Sequence, residues 1–107
     1  FLWVIEGDNA LKEKLPFEQT DLDVKIVKDI QPFRTRKVRI LNGAHTAMVP
    51  FSILYGNTTV RETIENDFTG KFIKNVVYDE IIKTLDLSET ELKSFSNEVF
   101  DRFRNPF

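Results

Sequence analysis

Lys37, Asn42 and the only histidine, His45, fall close together in the run Arg36-Lys37-Val38-Arg39-Ile40-Leu41-Asn42-Gly43-Ala44-His45-Thr46, with Pro32-Phe33 leading in. In a helix, about 100° per residue places Lys37, Asn42 and His45 at roughly 0°, 140° and 80°, fanned across one side. Val38 and Val49 share that sector, so the polar groups are expected to emerge through an apolar wall. A lysine that has lost part of its solvation there can act as a base. An amide can donate to a developing alkoxide, and an imidazole between them can hold a substrate hydroxyl. The same spacing also suits a plainer arrangement, with Lys37 solvated, Asn42 on a helix surface and His45 satisfied by a local hydrogen bond. Residue types and spacing alone leave both open.

The elements that must carry these residues are mostly helical. Leu2 to Ile5 reads as a short buried strand closed by Gly7-Asp8-Asn9, with Glu6 as a strand-end carboxylate that caps or pairs locally. Residues 10–23, broken at Leu15-Pro16, read as loop or a single helical turn. Val24 to Val27 reads as a second strand, placed to pair with the first. From Pro32 the pattern is helical, with Ile40, Leu41, Ala44 and Met48 as a core stripe. Gly43 admits either a close approach by substrate or cofactor or tight helix packing. Pro50 is expected to kink or end this helix, and Phe51 to Tyr55 carries the apolar face on to Gly56-Asn57.

Thr58 or Thr59 can cap the next helix, and Glu62 completes a capping box with Thr59. Residues 67–84 read as one amphipathic helix with Phe68, Phe72, Val76 and Ile81 among its apolar positions and Gly70 weakening its first turn. Ser88 with Glu91 forms a second capping box, opening a helix through Leu92, Phe95, Val99 and Phe103. These aromatics are expected in the core or between helices.

Composition narrows the function classes. The 107 residues suffice for one modest core, and 41% hydrophobic with 30% charged residues excludes a disordered or membrane class. The net charge of −2 comes from interspersed residues, so no basic stripe is available for nucleic acid. A chain without cysteine has neither disulfides nor thiolate metal sites and fits a reducing cytoplasm. One histidine and no clustered carboxylates argue against zinc. Glu6 and Asp8 interrupt the apolar start, so neither a signal peptide nor a membrane span is expected.

The run from Lys37 to Thr46 resembles the Lys-x4-Asn-x2-His signature of the polyol-specific long-chain dehydrogenases, the mannitol dehydrogenase family. Trp3-Val4-Ile5-Glu6 is similar to a segment upstream of that signature. Leu54-Tyr55-Gly56 with Val60-Arg61-Glu62 is similar to the stretch after it, and Arg102-Phe103-Arg104-Asn105-Pro106 to a motif near the end. The resemblance covers essentially the whole chain. Within the family, Arg34-Thr35-Arg36-Lys37, Ala44 to Pro50 and Thr84-Leu85-Asp86-Leu87 look most like the members that interconvert tagaturonate and altronate.

The resemblance implies a mainly α-helical substrate domain with a small β element near the N-terminus, residues 1–107 forming one partial C-terminal domain. Both ends read as cuts from a longer enzyme. With no Gly-x-Gly-x-x-Gly and no βαβ unit legible, the nucleotide-binding domain is expected elsewhere, and the chain alone is expected to be inactive. The implied roles are Lys37 as general base, Asn42 polarising the carbonyl or stabilising the alkoxide, and His45 positioning the hydroxyl, with NAD as hydride partner and no metal. A free lysine titrates near about pH 10.4, so this role needs burial or a like charge, which Arg36 and Arg39 can supply. The implied reaction is D-altronate + NAD⁺ ⇌ D-tagaturonate + NADH. A mannitol or fructuronate enzyme and a non-catalytic helical interaction module are the alternatives. Arg102 and Arg104 are expected in helix-end salt bridges rather than on substrate. With ten Phe and a covering domain elsewhere, self-association of the chain is expected.

Overall fold

Trp3–Glu6 (β1) and Val24–Val27 (β2) pair as expected, in a computed structural model that describes residues 2–106. The pairing is parallel, with Trp3 opposite Val24 and Glu6 opposite Val27. Parallel strands need a crossover, and α1 (Asn9–Lys14) with a 3₁₀ turn (Phe17–Gln19) supplies it. A small strand–helix–strand path therefore exists where none was expected. Its helix of six residues is too short to show a period, and local chemistry makes it. The Asp8 carboxylate caps α1 by accepting from Leu11 N at 3.1 Å. Glu6 accepts a backbone hydrogen bond, but from a distant rather than a local residue: its Oε2 accepts from Ile30 N at 3.0 Å. These elements belong to a unit that ends at Thr35, and a second unit starts at Arg36.

In the second unit, a π-helical segment (Lys37–Asn42) runs without a break into α3 (Gly43–Tyr55); α2 (Gln31–Arg36) precedes it in the chain. Ile40, Ala44 and Met48 are buried and Leu41 packs against them, which is the expected stripe. Pro50 neither ends nor breaks α3. A proline withholds a donor from the carbonyl four residues back, but Thr46 and Pro50 are both exposed, so that carbonyl lies on the wet side of the helix. Gly56 ends α3 at φ 98°, and the amides of Gly56 and Asn57 close on Ser52 O.

The expected capping box opens α4 (Val60–Glu65). Thr59 Oγ1 accepts from Glu62 N at 3.1 Å, while Glu62 Oε2 accepts from Thr58 N (2.8 Å), Thr58 Oγ1 (2.8 Å) and Thr59 N (3.0 Å). The Thr58 amide is the chief reason that the Glu62 carboxyl lies below its ordinary value of 4.5. A carboxyl depressed by folding stabilises the fold above its unfolded pKa, and that contribution is lost as pH falls through the folded value. Glu62→Gln should therefore lower Tm near neutral pH, with the gap to wild type closing on acidification below 4.5. Melting curves across this range check it; a gap independent of pH counts against it.

Residues 67–84 are continuous, but not as one α-helix. They form α5 (Asp67–Asn75), a second π segment (Val76–Ile81) and a 3₁₀ turn (Ile82–Thr84). The buried side carries Thr69, Gly70, Ile73, Val77 and Ile82, while Phe68 and Phe72 are 60% and 40% exposed. The expected stripe is thus one position off. Small residues occupy the buried side because α5 approaches α4 closely there: Gly70 lies against the carbonyl of Ile64, and Thr69 Oγ1 donates to Thr63 O at 2.6 Å. The displaced rings pair helices instead, Phe72 stacking on Phe51 at 4.1 Å and Phe68 on Tyr55 at 5.5 Å.

Helix α6 (Glu89–Arg104) buries Leu92, Ser96, Val99, Phe100 and Phe103. Ser88 precedes it without a side-chain cap bond, contrary to the expected box; its carbonyl accepts from Leu92 N, and Glu89 pairs with Lys93 at 2.6 Å instead. Arg104 pairs with Asp101 at 2.7 Å as expected of a helix-end arginine. Of the phenylalanines expected in the core or between helices, Phe103 is buried and Phe95 packs against the core.

Candidate active site

Lys37 and Asn42 are five residues apart, which an α-helix sets on different sides of its surface. The π segment closes bonds across five residues and so brings that spacing into line. Gly43 N bonds to Val38 O as well as Ile40 O, which marks the widened turn. As a result Lys37 Nζ donates to Asn42 Oδ1 at 3.0 Å. An ammonium has only donors, so the carboxamide must offer its oxygen to Lys37, and its Nδ2 hydrogens point elsewhere. The angular fan expected of an α-helix is replaced by direct contact.

His45, one turn into α3, sits with its ring 5.4 Å from that of Phe103, inclined at 48°. It lines a groove of about 500 Å³ with Leu41, Asn42, Thr46, Val49 and Phe103. A second groove, of about 590 Å³, shares Asn42 and Thr46 and is bounded by Val38, Arg39, Gly43, Glu80, Ile81 and Thr84. The two valines of the expected apolar wall are therefore divided, Val49 beside His45 and Val38 in the second groove. Both are partly open, at 44% and 43% exposure, and Lys37, Asn42 and His45 are exposed, so the burial expected of Lys37 is not found among the described residues. Asn42 is the residue common to the lysine contact and both grooves.

The neighbouring arginines turn away from one another. Arg36 lies over the Phe95 ring at 4.6 Å, whereas Arg39 enters the second groove. Gly43 packs under Ile81, whose Cδ1 would be 3.2 Å from an added Cβ, and it also lines the second groove. Thr46 carried no assignment from sequence, yet it borders both grooves and its Oγ1 donates to Asn42 O at 2.9 Å. Its position four residues after Asn42 was the available signal.

The strand–helix turn at Gly7-Asp8 is where a dinucleotide phosphate would have to approach α1. Anions favour helix N-termini, but the Asp8 carboxylate already holds this one, and α1 has only six residues. This turn does not fit a dinucleotide phosphate. Among the described residues no group of three or more His, Cys, Asp or Glu is arranged to hold a metal ion, and no helix is long and apolar enough to cross a membrane.

Residues 29–107 match the family model of the mannitol dehydrogenase C-terminal domain. Over all of its length the chain is 47% identical to an altronate oxidoreductase of Bacillus subtilis and 49% identical to those of Yersinia pestis and Pectobacterium carotovorum. It spans 22% of the length of each of these relatives. No solved structure matches it significantly.

Proposed function

The chain belongs to the mannitol dehydrogenase C-terminal domain family, and from that premise we propose that it is the proton-handling part of a cytoplasmic, NAD-dependent enzyme interconverting D-tagaturonate and D-altronate. The observation that carries this reading is the 3.0 Å contact of Lys37 Nζ with Asn42 Oδ1, at the edge of the groove that holds His45. That altronate oxidoreductases are 47–49% identical to the chain supports the choice of substrate. Residues 1–107 form part of the substrate-binding portion of a longer polypeptide, and NAD, as hydride partner, is held by a part of it outside the described residues.

In oxidation, Lys37 accepts the proton of the reacting hydroxyl while its own N–H holds Asn42 Oδ1. That contact aims Asn42 Nδ2–H at the same substrate oxygen, where negative charge grows. His45 fixes the hydroxyl from the other side, against the hydrocarbon of Leu41, Val49 and Phe103. In reduction, the Lys37 ammonium returns the proton to the oxygen and Asn42 polarises the carbonyl.

NADH consumption by the full-length protein on D-tagaturonate, D-fructuronate and D-fructose, side by side, tests the substrate. Tagaturonate should exceed fructose, which has no carboxylate, by at least about 100-fold in kcat/KM. Preference for one of the others moves the substrate within the family. Absence of turnover on all three overturns the enzymatic reading in favour of a non-catalytic helical module.

A further inference from the structure

Of Lys37, Asn42 and His45, only Asn42 borders the second groove. It is bordered by both π segments, Val38, Arg39 and Asn42 coming from the first and Glu80 and Ile81 from the second. Such interruptions of a helix occur frequently at functional sites, and here two of them meet at one groove of about 590 Å³.

Its polar groups suit a polyhydroxy acid. Arg39 is exposed, and among the described residues no carboxylate lies within ion-pairing distance of its guanidinium. Of the other arginines in this unit, Arg61 pairs with Glu65, Arg104 with Asp101, Arg36 covers Phe95, and Arg102 borders a separate groove with Thr59 and Pro106. Thr46 and Thr84 donate their hydroxyl protons to backbone carbonyls at 2.9 and 2.8 Å. Their oxygens keep lone pairs for ligand hydroxyls, as does the Glu80 carboxylate. A guanidinium matches a carboxylate with two parallel hydrogen bonds. Arg39 and Asn42 both border this groove, so a six-carbon acid lying in it can meet both.

Resting on the site reading above, the geometry points to Arg39 as the residue that binds the substrate carboxylate, the groove between the π segments holding the hydroxylated arm of the sugar acid. The reacting oxygen then lies at Asn42, with its hydroxyl side towards His45. Arg39 is a specificity residue in this arrangement and takes no part in proton transfer.

The test is steady-state kinetics of the full-length protein with D-tagaturonate. Arg39→Gln should raise KM roughly 10- to 100-fold with kcat within a few-fold, and Arg39→Lys should recover part of the loss. Circular dichroism checks that both variants keep the fold, as the exposed position of Arg39 leads one to expect. An active wild type with unchanged KM in Arg39→Gln overturns the assignment while leaving Lys37, Asn42 and His45 in place. A loss confined to kcat overturns it too, because that places Arg39 in the chemical step. A wild type that reduces no sugar acid overturns both this inference and the function on which it rests.

Discussion

Lys37→Ala in the full-length protein should lower kcat by about 10²–10⁴-fold in both directions, with KM within a few-fold of wild type. The loss belongs to the transition state, because the substrate's hydroxyl proton has nowhere to go. It also has a second component. Without Nζ at 3.0 Å, Asn42 Oδ1 loses its partner, and the carboxamide is no longer turned to present Nδ2–H to the substrate. Asn42→Ala should cost about 10²–10³-fold on its own. The double variant should be barely worse than Lys37→Ala, since the two side chains act as one unit. Added primary amine should restore part of the activity to Lys37→Ala and none to Asn42→Ala. A folded Lys37→Ala enzyme within about tenfold of wild type would remove the lysine from the chemistry.

Much of this arrangement is legible in the sequence, where strong local signals agree with packing. The stripe Ile40, Leu41, Ala44 and Met48 predicts the inner face of the run into α3, and Thr59 with Glu62 predicts the start of α4. A mainly helical chain with a small β element follows from such signals, and the structure has it. What escapes them is geometry that changes within one turn. Side-chain periodicity at 100° per residue carries no sign of a π turn, so Lys37 and Asn42 read as a loose fan rather than a contact. The same blindness shifts the buried face of residues 67–84, where Phe68 and Phe72 look like core by type but small Thr69 and Gly70 occupy the helix contact. Arg39 reads from sequence only as a charge near the lysine; its place in a groove depends on Glu80, Ile81 and Thr84, some forty residues away. The roles of Lys37, Asn42 and His45 rest on resemblance, because exposed polar residues at these spacings are common in ordinary helices.

That close helix contact sets up the second large effect. Gly70→Ala should destabilise the protein by about 1–3 kcal/mol, although a helical Gly→Ala exchange ordinarily gains about 1 kcal/mol from propensity. A Cβ at Gly70 would collide with the backbone carbonyl of Ile64, with Thr63 O a further 3.4 Å contact. A backbone carbonyl cannot rotate away as a side chain can, so α5 must move off α4. That movement would strain the Thr69 Oγ1 to Thr63 O bond and open the packing around Ile64 and Ile73. Gly43→Ala is the matched control. Its new Cβ would meet only the terminal Cδ1 of Ile81, at 3.2 Å, which a rotamer change can relieve. The propensity gain and the crowding then nearly cancel, and the change should stay within about 1 kcal/mol of wild type. Urea unfolding followed by far-ultraviolet circular dichroism separates the two glycines. Equal effects would mean that α5 and α4 are not held by backbone contact at Gly70. A loss confined to Gly70→Ala identifies that contact as what turns the small-residue side of α5 inward and leaves its phenylalanine rings to stack on α3.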